Sequence, residues 1–307
     1  METTKAVAQF QLVPFVLLFL LAILPNPTLS APFGFLQELE GTHIGQIAPG
    51  LHNVKKYLKQ FGYLNGGNPS AVHAYDDVFD SVLDYEIKSY QLNYGIDATG
   101  SLDAETVKQM MMPRCGRADV VDAPAFLGSE RRKKIKQDEV TARSTPEKWS
   151  SAHLTYRFSN AYNISDKVDN QTLRAAVTQA FVKWEGVSNF KFTEETDGDL
   201  ATDMVIGFHK GDHGDASSFD GQMGVIAYAF APNDGRFYYD ADDKWSTSPG
   251  SDAMDLESVA AHEIGHMLGL EHIFKPNAIM YPVFSPGTTK RQVQQDDVKA
   301  LRAIYGS

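Results

Sequence analysis

Three histidines and a glutamate in the last sixth of the chain have the types and spacing of a hydrolytic metal site. His262 and His266 are four residues apart, so on a helix both imidazoles lie on one face, one turn apart. Two neutral imidazoles in this arrangement form half of a zinc site. Glu263 follows the first histidine directly and points in a neighbouring direction. Its carboxylate can therefore reach a water at the metal without being a ligand.

A third histidine completes the set. Gly269 is expected to break the helix and let the chain turn sharply, which brings His272 round as the third ligand. Three protein ligands leave the fourth position to water, which is typical of a catalytic zinc and not of a structural one. The spacing matches the extended metzincin motif. The alternative is a helix whose surface histidines are merely solvated.

The neighbouring sequence predicts the helix that must position these residues. Asp255 and Ser258 can cap its start, and Gly269 follows its last periodic residue. The apolar faces needed to pack such a helix come from Leu256, Val259, Ala260 and Ile264.

Cys115 is the only cysteine in the chain. A lone cysteine cannot form a disulfide within the chain, and two interpretations remain open. In the first it is a buried free thiol. In the second its thiolate takes the open zinc position and displaces the water, because cysteine sulfur is a strong zinc ligand. The protein would then be made as a self-inhibited precursor.

With both motifs in view, the chain resembles the matrix metalloproteinases, and specifically the plant branch without a C-terminal propeller domain. Residues 113–120 are similar to the family's cysteine switch, and residues 278–282, which include Met280, to its Met-turn. The resemblance implies a zinc endopeptidase made as a latent zymogen and exported. It assigns the catalytic zinc to the three histidines, the general acid–base role to Glu263, and the inhibitory zinc ligand to Cys115.

The resemblance implies an α+β fold in which a metzincin-type catalytic domain over residues 150–307 has a twisted mixed sheet, an antiparallel edge strand and three helices. The edge strand is expected at residues 224–229. A protein or peptide substrate would add to it as another strand, held by backbone hydrogen bonds. The expected substrate-binding residues are Val225, Ile226 and Ala227 on this strand and Pro282 and Phe284 in the wall of a pocket beside the zinc. Apolar periodicity predicts further strands at 154–158, 190–192 and 204–208, and helices at 173–184 and 298–305.

Residues 31–149 are expected to form a small all-α pro-domain with the switch and a polar linker. Apolar residues recur at helical spacing over 54–61 and 79–90. By resemblance this is a three-helix pro-domain that inhibits its own catalytic domain. Peptidoglycan-binding modules share that fold, so sugar binding is an alternative, although no cluster of exposed aromatic residues favours it.

Relatives hold a second, structural zinc with three His and one Asp. His213 and Asp215 match two of these positions, but Tyr228 and Tyr238 stand at the other two. Tyrosine is a poor zinc ligand at neutral pH because its phenol has a pKa near ~10. We therefore expect this zinc to be weak or absent, with tyrosine rings filling its place. Acidic residues match the family's calcium positions, and hard oxygen ligands suit Ca²⁺; these positions are Asp220, Gly221, Asp240 and Asp243.

Two positions depart from the motifs around the zinc. Ala118 replaces the proline of the family's switch, which is expected to loosen the inhibitory loop. Glu271 places a carboxylate beside the third zinc ligand. That carboxylate either raises the basicity of the metal's surroundings or binds a substrate amine, and the sequence leaves both possibilities open.

Composition limits the location and the partners. The net charge of −11 argues against nucleic acid and leaves no basic face for a membrane. Residues 1–30 read as a signal peptide whose apolar run, 15–24, is too short to span a membrane comfortably. We expect a secreted, extracellular protein without a membrane anchor in its mature form, with glycan acceptors at Asn163 and Asn170. The competing class is a catalytically weak or inactive protease fold that serves binding or signalling.

Overall fold

A computed structural model describes residues 32–64, 76–120, 147–159, 168–197, 200–215 and 217–306. The expected signal peptide, most of the linker and the acceptor Asn163 lie outside the described residues. No helix within the described ranges is long and apolar enough to cross a membrane.

The N-terminal part is helical, as predicted. A 3₁₀ turn at Gly34–Leu39 precedes α1 (Leu51–Gln60), α2 (Ser81–Tyr94) and α3 (Ala104–Met110). Asp80 caps α2 by accepting from the backbone N–H groups of Val82 and Leu83, and Asp103 caps α3 in the same way through Thr106. A buried apolar cluster that includes Leu36, Leu58 and Ile87 joins these elements.

The C-terminal part is built on a six-stranded sheet in the order β1-β5-β6-β4-β2-β3. All neighbouring strands are parallel except β5 and β6, which are antiparallel. The predicted mixed sheet with an antiparallel strand is confirmed. The strands are β1 (Arg114–Cys115), β2 (His153–Phe158), β3 (Lys191–Glu194), β4 (Met204–His209), β5 (Val225–Ala229) and β6 (Arg236–Asp240), and a separate small pair is formed by β7 (Trp245–Ser246) and β8 (Met254–Asp255).

In the described part of the chain, three helices accompany this sheet: α4 (Asn170–Glu185), α5 (Leu256–Met267) and α6 (Gln295–Tyr305). The apolar stripe of α4 packs against α5, and the indole N–H of Trp184 donates to the backbone oxygen of Ala261 at 2.8 Å. Every residue of α5 is buried, so this helix lies in the core of the domain. The first two histidines of the motif are therefore held on a fully buried helix.

Strand β6 was not predicted from the sequence. Strand β6 (Arg236–Asp240) contains three consecutive aromatic residues. Buried and exposed positions do not alternate along it, because four of its five residues are buried. It lies between β5 and β4 in the sheet, where both faces are covered. Periodicity alone does not identify such a strand.

The two parts of the chain pack against one another directly. The helical cluster of the N-terminal part also contains Phe219, Val225, Tyr228 and Tyr238 from the C-terminal part. Strand β1, which follows the helical module, joins the sheet beside β5. The edge predicted to receive a substrate is therefore covered by the protein's own N-terminal segment.

Candidate metal centre and substrate cleft

Helix α5 and the turn after it bring the three motif histidines together. The imidazole centroids of His262 and His266 are 4.8 Å apart, and that of His272 lies 5.4 and 4.8 Å from them. Helix α5 begins with Asp255 as its N-cap and ends at Met267. Gly269 then adopts a φ of 90°, which L side chains rarely adopt, and the chain reverses to present His272.

Each imidazole is oriented by a hydrogen bond from its Nδ1. His262 donates to the backbone oxygen of Ile279 at 2.8 Å, His266 to that of Leu270 at 2.7 Å, and His272 to the Asp119 carboxylate at 2.9 Å. All three Nε2 atoms are buried and have no hydrogen-bond partner. Burial lowers the pKa of all three imidazoles, which favours the neutral, ligating form. This is the arrangement expected of metal ligands with their outer hydrogen bonds already made.

Cys115 supplies a fourth ligand atom at the same point. Its Sγ and the nitrogens of His262, His266 and His272 all lie within 4.8 Å of one another. In the part of the chain that the structure describes, no other group of three or more His, Cys, Asp or Glu side chains brings its ligand atoms together this closely. One thiolate and three imidazole nitrogens are a donor set that suits Zn²⁺. Burial and the charge of Glu263 raise the pKa of the thiol in the absence of a cation, and a bound metal acts in the opposite direction.

Glu263 lies beside this cluster without joining it. Its side chain is fully buried and interacts with the Cys115 thiol, and among the described residues neither carboxylate oxygen makes a hydrogen bond of ordinary length. Burial raises the pKa of Glu263 to about 8. A carboxylate with a pKa near neutrality is suited to accepting and returning a proton.

The floor of the centre is formed by the predicted Met-turn. Met280 is fully buried, and a Cβ at Gly265 would collide with its sulfur, so only glycine allows α5 to pack this closely. The buried carboxylate of Asp297, on α6, accepts from the backbone N–H groups of Ile279 at 2.9 Å and Met280 at 3.1 Å. Asp297 was not identified from the sequence. Its position in the first turn of a capped helix was the available signal.

The candidate cleft lies between β5 and the segment after the Met-turn, and β1 fills it. On one side Arg114 N–H donates to the Gly224 oxygen and Gly116 N–H to the Ala227 oxygen, each at 2.8 Å. On the other side Cys115 N–H donates to the Pro282 oxygen at 2.9 Å. A matching bond runs from Phe284 N–H to the Pro113 oxygen at 2.9 Å. The five residues predicted to bind substrate, namely Val225, Ile226, Ala227, Pro282 and Phe284, thus belong to the two segments that line the cleft.

A buried ion pair anchors this segment. Arg114 and Asp119 pair at 2.5 Å, and both side chains are almost fully buried. Tyr94 donates a further hydrogen bond to Asp119 at 3.1 Å. Although burial opposes ionisation, Arg114 and His272 lower the pKa of Asp119 to about 2. The sequence suggested no role for Asp119, because its contact with His272 joins residues 153 positions apart.

A cavity of 410 Å³ opens beside the wall of the cleft. Tyr281, Phe284 and Lys290 line it on the catalytic side, and Lys108 of α3 on the other. The Lys290 ammonium lies 5.2 Å from the Tyr281 ring centroid and 5.7 Å from that of Phe284. A cationic group therefore lies among aromatic rings on the catalytic side of this cavity, and residues of the N-terminal helical part close its other side.

The second predicted zinc position is organised around a tyrosine. The Tyr228 hydroxyl contacts the Nε2 of His213 and donates to the Asp215 carboxylate at 2.9 Å. Tyr238 packs edge-on against both rings, at 5.7 Å from His213 and 6.0 Å from Tyr228. Burial and the hydrogen bond to Asp215 raise the pKa of Tyr228 well above its ordinary value. The phenol therefore keeps its proton and is a poor zinc ligand.

The predicted calcium residues lie in the loop before β5, at the last residue of β6 and just after β6. Asp220 accepts from Val225 N–H at 3.0 Å, and Asp243 accepts from Met223 N–H at 2.7 Å. Burial and the charge of Asp240 raise the pKa of Asp220 to about 7, and burial and the charge of Asp243 do the same for Asp240. Gly221 lies between these acids with a φ of 94°. Their oxygens do not converge as the Cys115 cluster does.

Comparison with known proteins agrees with this geometry. A family model described as matrixin matches residues 148–306, and one described as a putative peptidoglycan-binding domain matches residues 48–110. Metalloendoproteinase 1 of Glycine max is 38% identical over 305 residues, covering 94% of each chain. Metalloendoproteinase 2-MMP of Arabidopsis thaliana is 35% identical, covering 87% of this chain and 73% of the relative. Matrix metalloproteinase-16 of Homo sapiens is 33% identical over 83% of this chain and 41% of its own length. The chain belongs to the matrixin family and is a metalloendopeptidase with an N-terminal pro-domain.

Proposed function

We propose that this protein is a secreted zinc endopeptidase, made as a latent zymogen, that cleaves proteins of the extracellular matrix or cell wall. One observation carries the proposal: the Nε2 atoms of three histidines and the Sγ of Cys115 meet within 4.8 Å of one another in the core. Their buried, unpartnered nitrogens fit a zinc ion. The ligands would be His262, His266 and His272, with Cys115 as the fourth in the precursor.

When bound, zinc would polarise the scissile carbonyl and lower the pKa of a bound water to about 7. Glu263 would accept the proton of the attacking water and pass it to the leaving amine. In the precursor this buried carboxylate interacts with the Cys115 thiol, and it would be free to accept the proton once that thiol leaves. Burial raises the pKa of Glu263, and a bound cation would lower it again towards neutrality.

Substrate would bind as an added strand on β5. The backbone bonds that β1 makes to Gly224 and Ala227 on one side, and to Pro282 on the other, support this mode. Val225, Ile226 and Ala227 would supply the strand, and Pro282 and Phe284 the opposite wall. Backbone pairing is independent of side chains, so selectivity would depend on pockets such as the cavity lined by Phe284 and Lys290.

Latency would follow from the same contacts, since a substrate and β1 compete for one cleft. Cys115 would block the metal while the buried pair of Arg114 and Asp119 holds the segment in shape. Cleavage after the switch would release the segment, and the polar linker is where such nicking concentrates.

Calcium binding and export complete the proposal. A buried Asp240 oxygen without a hydrogen-bond partner lies near Asp220 and Gly221, and hard oxygen ligands favour Ca²⁺. An extracellular site of action is supported by the apolar N-terminal run and by relatives named matrix metalloproteinases. Asn170, exposed at the start of α4, is an accessible glycan acceptor.

The test is hydrolysis of a mixed peptide library by the purified chain, opened with a thiol-modifying reagent. We expect cleavage that a chelator abolishes and added Zn²⁺ restores. A well-folded, zinc-loaded and opened chain that cleaves no peptide would instead support the binding or signalling alternative.

A further inference from the structure

An ion pair links the inhibitory segment to the rim of the metal centre. Arg117 Nη2 lies 2.8 Å from Glu271 Oε1, and Arg117 Nε lies 3.2 Å from Oε2. The two parallel contacts form the bidentate arrangement in which guanidinium recognises carboxylate best. The side chain of Arg117 is 17% exposed and that of Glu271 is 50% exposed. The carboxylate of Glu271 is thus half-exposed to solvent even while Arg117 is bound.

Both residues have a fixed relation to the metal position. Arg117 follows Cys115 by two residues, and its backbone N–H donates to the Cys115 sulfur at 3.4 Å. Glu271 directly precedes the ligand His272. A side chain that reaches Glu271 therefore belongs to a peptide whose backbone passes the metal centre.

The carboxylate of Glu271 is not hydrogen-bonded to the metal ligand beside it. The Nδ1 of His272 donates to Asp119, at 2.9 Å, and the oxygens of Glu271 face the guanidinium of Arg117. Of the two possibilities left open by the sequence, binding of a cation is the one with contacts in the structure.

Removal of the pro-segment separates the pair. Arg117 lies before the matrixin region, which begins at residue 148, and Glu271 lies inside it. Among the described residues, Arg117 is the ion-pair partner of Glu271. Release of the segment would therefore leave a carboxylate where a guanidinium had been bound, one residue from the ligand His272.

We propose that Glu271 is a specificity-determining residue that binds an arginine or lysine side chain of the substrate, and that Arg117 occupies this subsite in the latent chain. The proposal rests on the proposed function and names its substrate class: peptides with a basic residue close to the scissile bond. Exposed ion pairs contribute modestly, and bidentate ones more, so a preference of about fivefold is expected.

Occupation of the subsite by Arg117 is tested in the uncleaved, zinc-loaded chain through the rate at which a thiol reagent modifies Cys115. Arg117→Gln and Glu271→Gln should each raise this rate about fivefold, and the double variant should raise it no further. The charge swap Arg117→Glu with Glu271→Arg should restore a slow rate. Lys244→Gln breaks a remote ion pair with Asp252 and serves as the matched control. Additive single effects would overturn this part of the proposal.

Substrate preference is tested in full-length Arg117→Gln opened by the thiol reagent, so that its own arginine does not compete. The substrates are pairs of peptides derived from one parent sequence. In each pair, a single position within three residues of the scissile bond carries either arginine or its uncharged analogue citrulline. We expect an arginine preference in kcat/KM at one position, about fivefold, and its loss when Glu271→Gln is added. Equal rates at every position would overturn the proposal.

The same peptide pairs are titrated calorimetrically into the same protein. If arginine peptides bind more tightly than citrulline peptides only when Glu271 is present, and no peptide is hydrolysed, the proposed function is contradicted and the subsite is supported. Equal Kd values for arginine and citrulline peptides, together with ordinary hydrolysis, would retain the function and remove the subsite.

Discussion

Two regions of this protein contain histidines whose Nδ1 atom is hydrogen-bonded to a backbone oxygen. The regions differ in what faces the other ring nitrogen, Nε2. At the α5 centre His262 and His266 donate to backbone oxygens and leave Nε2 buried without a partner. His213 likewise contacts the Gly211 oxygen through Nδ1, at 2.9 Å, but its Nε2 meets the Tyr228 hydroxyl. A metal site needs nitrogen atoms that converge on one point and are not already hydrogen-bonded to another group.

The comparison also shows how a hydroxyl can occupy the place between a histidine and a carboxylate. Tyr228 links His213 to Asp215 through hydrogen bonds, so the phenol fills the space and satisfies both partners. The catalytic centre has no such internal partner, and its buried nitrogens cost free energy until a cation binds. The first arrangement can hold its loop without metal, and the second is suited to binding one.

Glu263→Gln should produce the largest effect, because the amide cannot accept the proton of the attacking water. A loss of about 10²–10⁴-fold in kcat is expected with zinc content unchanged. Peptide hydrolysis and elemental analysis measure the two quantities on one sample. His213→Gln, at the tyrosine-centred cluster, is the matched control and should retain activity. Wild-type turnover in Glu263→Gln would refute the assigned role.

Cys115→Ser should make the uncleaved chain active, because a hydroxyl is a much weaker zinc ligand than a thiolate. We expect a rise of about tenfold or more over uncleaved wild type, corresponding to at least ~1.4 kcal/mol. The assay is hydrolysis of one peptide before any cleavage of the chain, verified by mass. Equal activities, with the wild-type thiol freely titratable, would mean that Cys115 does not block the centre.

Tyr228→His combined with Tyr238→His should convert the second region into a zinc site. Wild type is expected to bind about one zinc, since two ligands cannot close a tetrahedral structural site, and the double variant about two. Elemental analysis after dialysis gives the stoichiometry. Tyr228→Phe removes the same hydroxyl without adding a ligand and should leave the zinc content at the wild-type value. A tightly held second zinc in wild type would contradict the tyrosine assignment.

Lys290→Met should have the smallest effect, measured as a change in stability. Burial lowers the pKa of Lys290 from 10.5 to about 8. Between these values the unfolded chain binds more protons, so this group's contribution to stability rises with pH. Below pH 8 the variant should be more stable than wild type by about 1 kcal/mol or less, allowing for solvent screening. Denaturant unfolding at pH 7 and pH 10 checks this, and a difference that does not shrink at pH 10 would contradict it.

Much of the fold could be read from local patterns. The stripe over residues 173–184 lies within α4, and the run at 204–208 lies within β4. Asp255 caps the metal-binding helix as predicted, through Ser258 N–H at 3.0 Å. Strand β6 was missed because its burial on both faces leaves no alternation to detect.

The sequence by itself determined the chemistry of the centre. His262 and His266 share a helix face because their spacing requires it, and a glycine at 269 lets His272 follow. Such local relations depend on residues within one turn or two, and backbone geometry converts them directly into positions.

The tertiary structure alone decided which distant groups complete these sites. Asp119 reaches His272, Arg117 reaches Glu271, and Asp297 supports the Met-turn, across separations of 153, 154 and 17–18 residues. Whether Tyr228 faces His213 likewise depends on how β5 packs against a loop. No periodicity encodes such pairings, because they arise from the packing of whole elements, in which burial selects partners that the chain does not bring together locally.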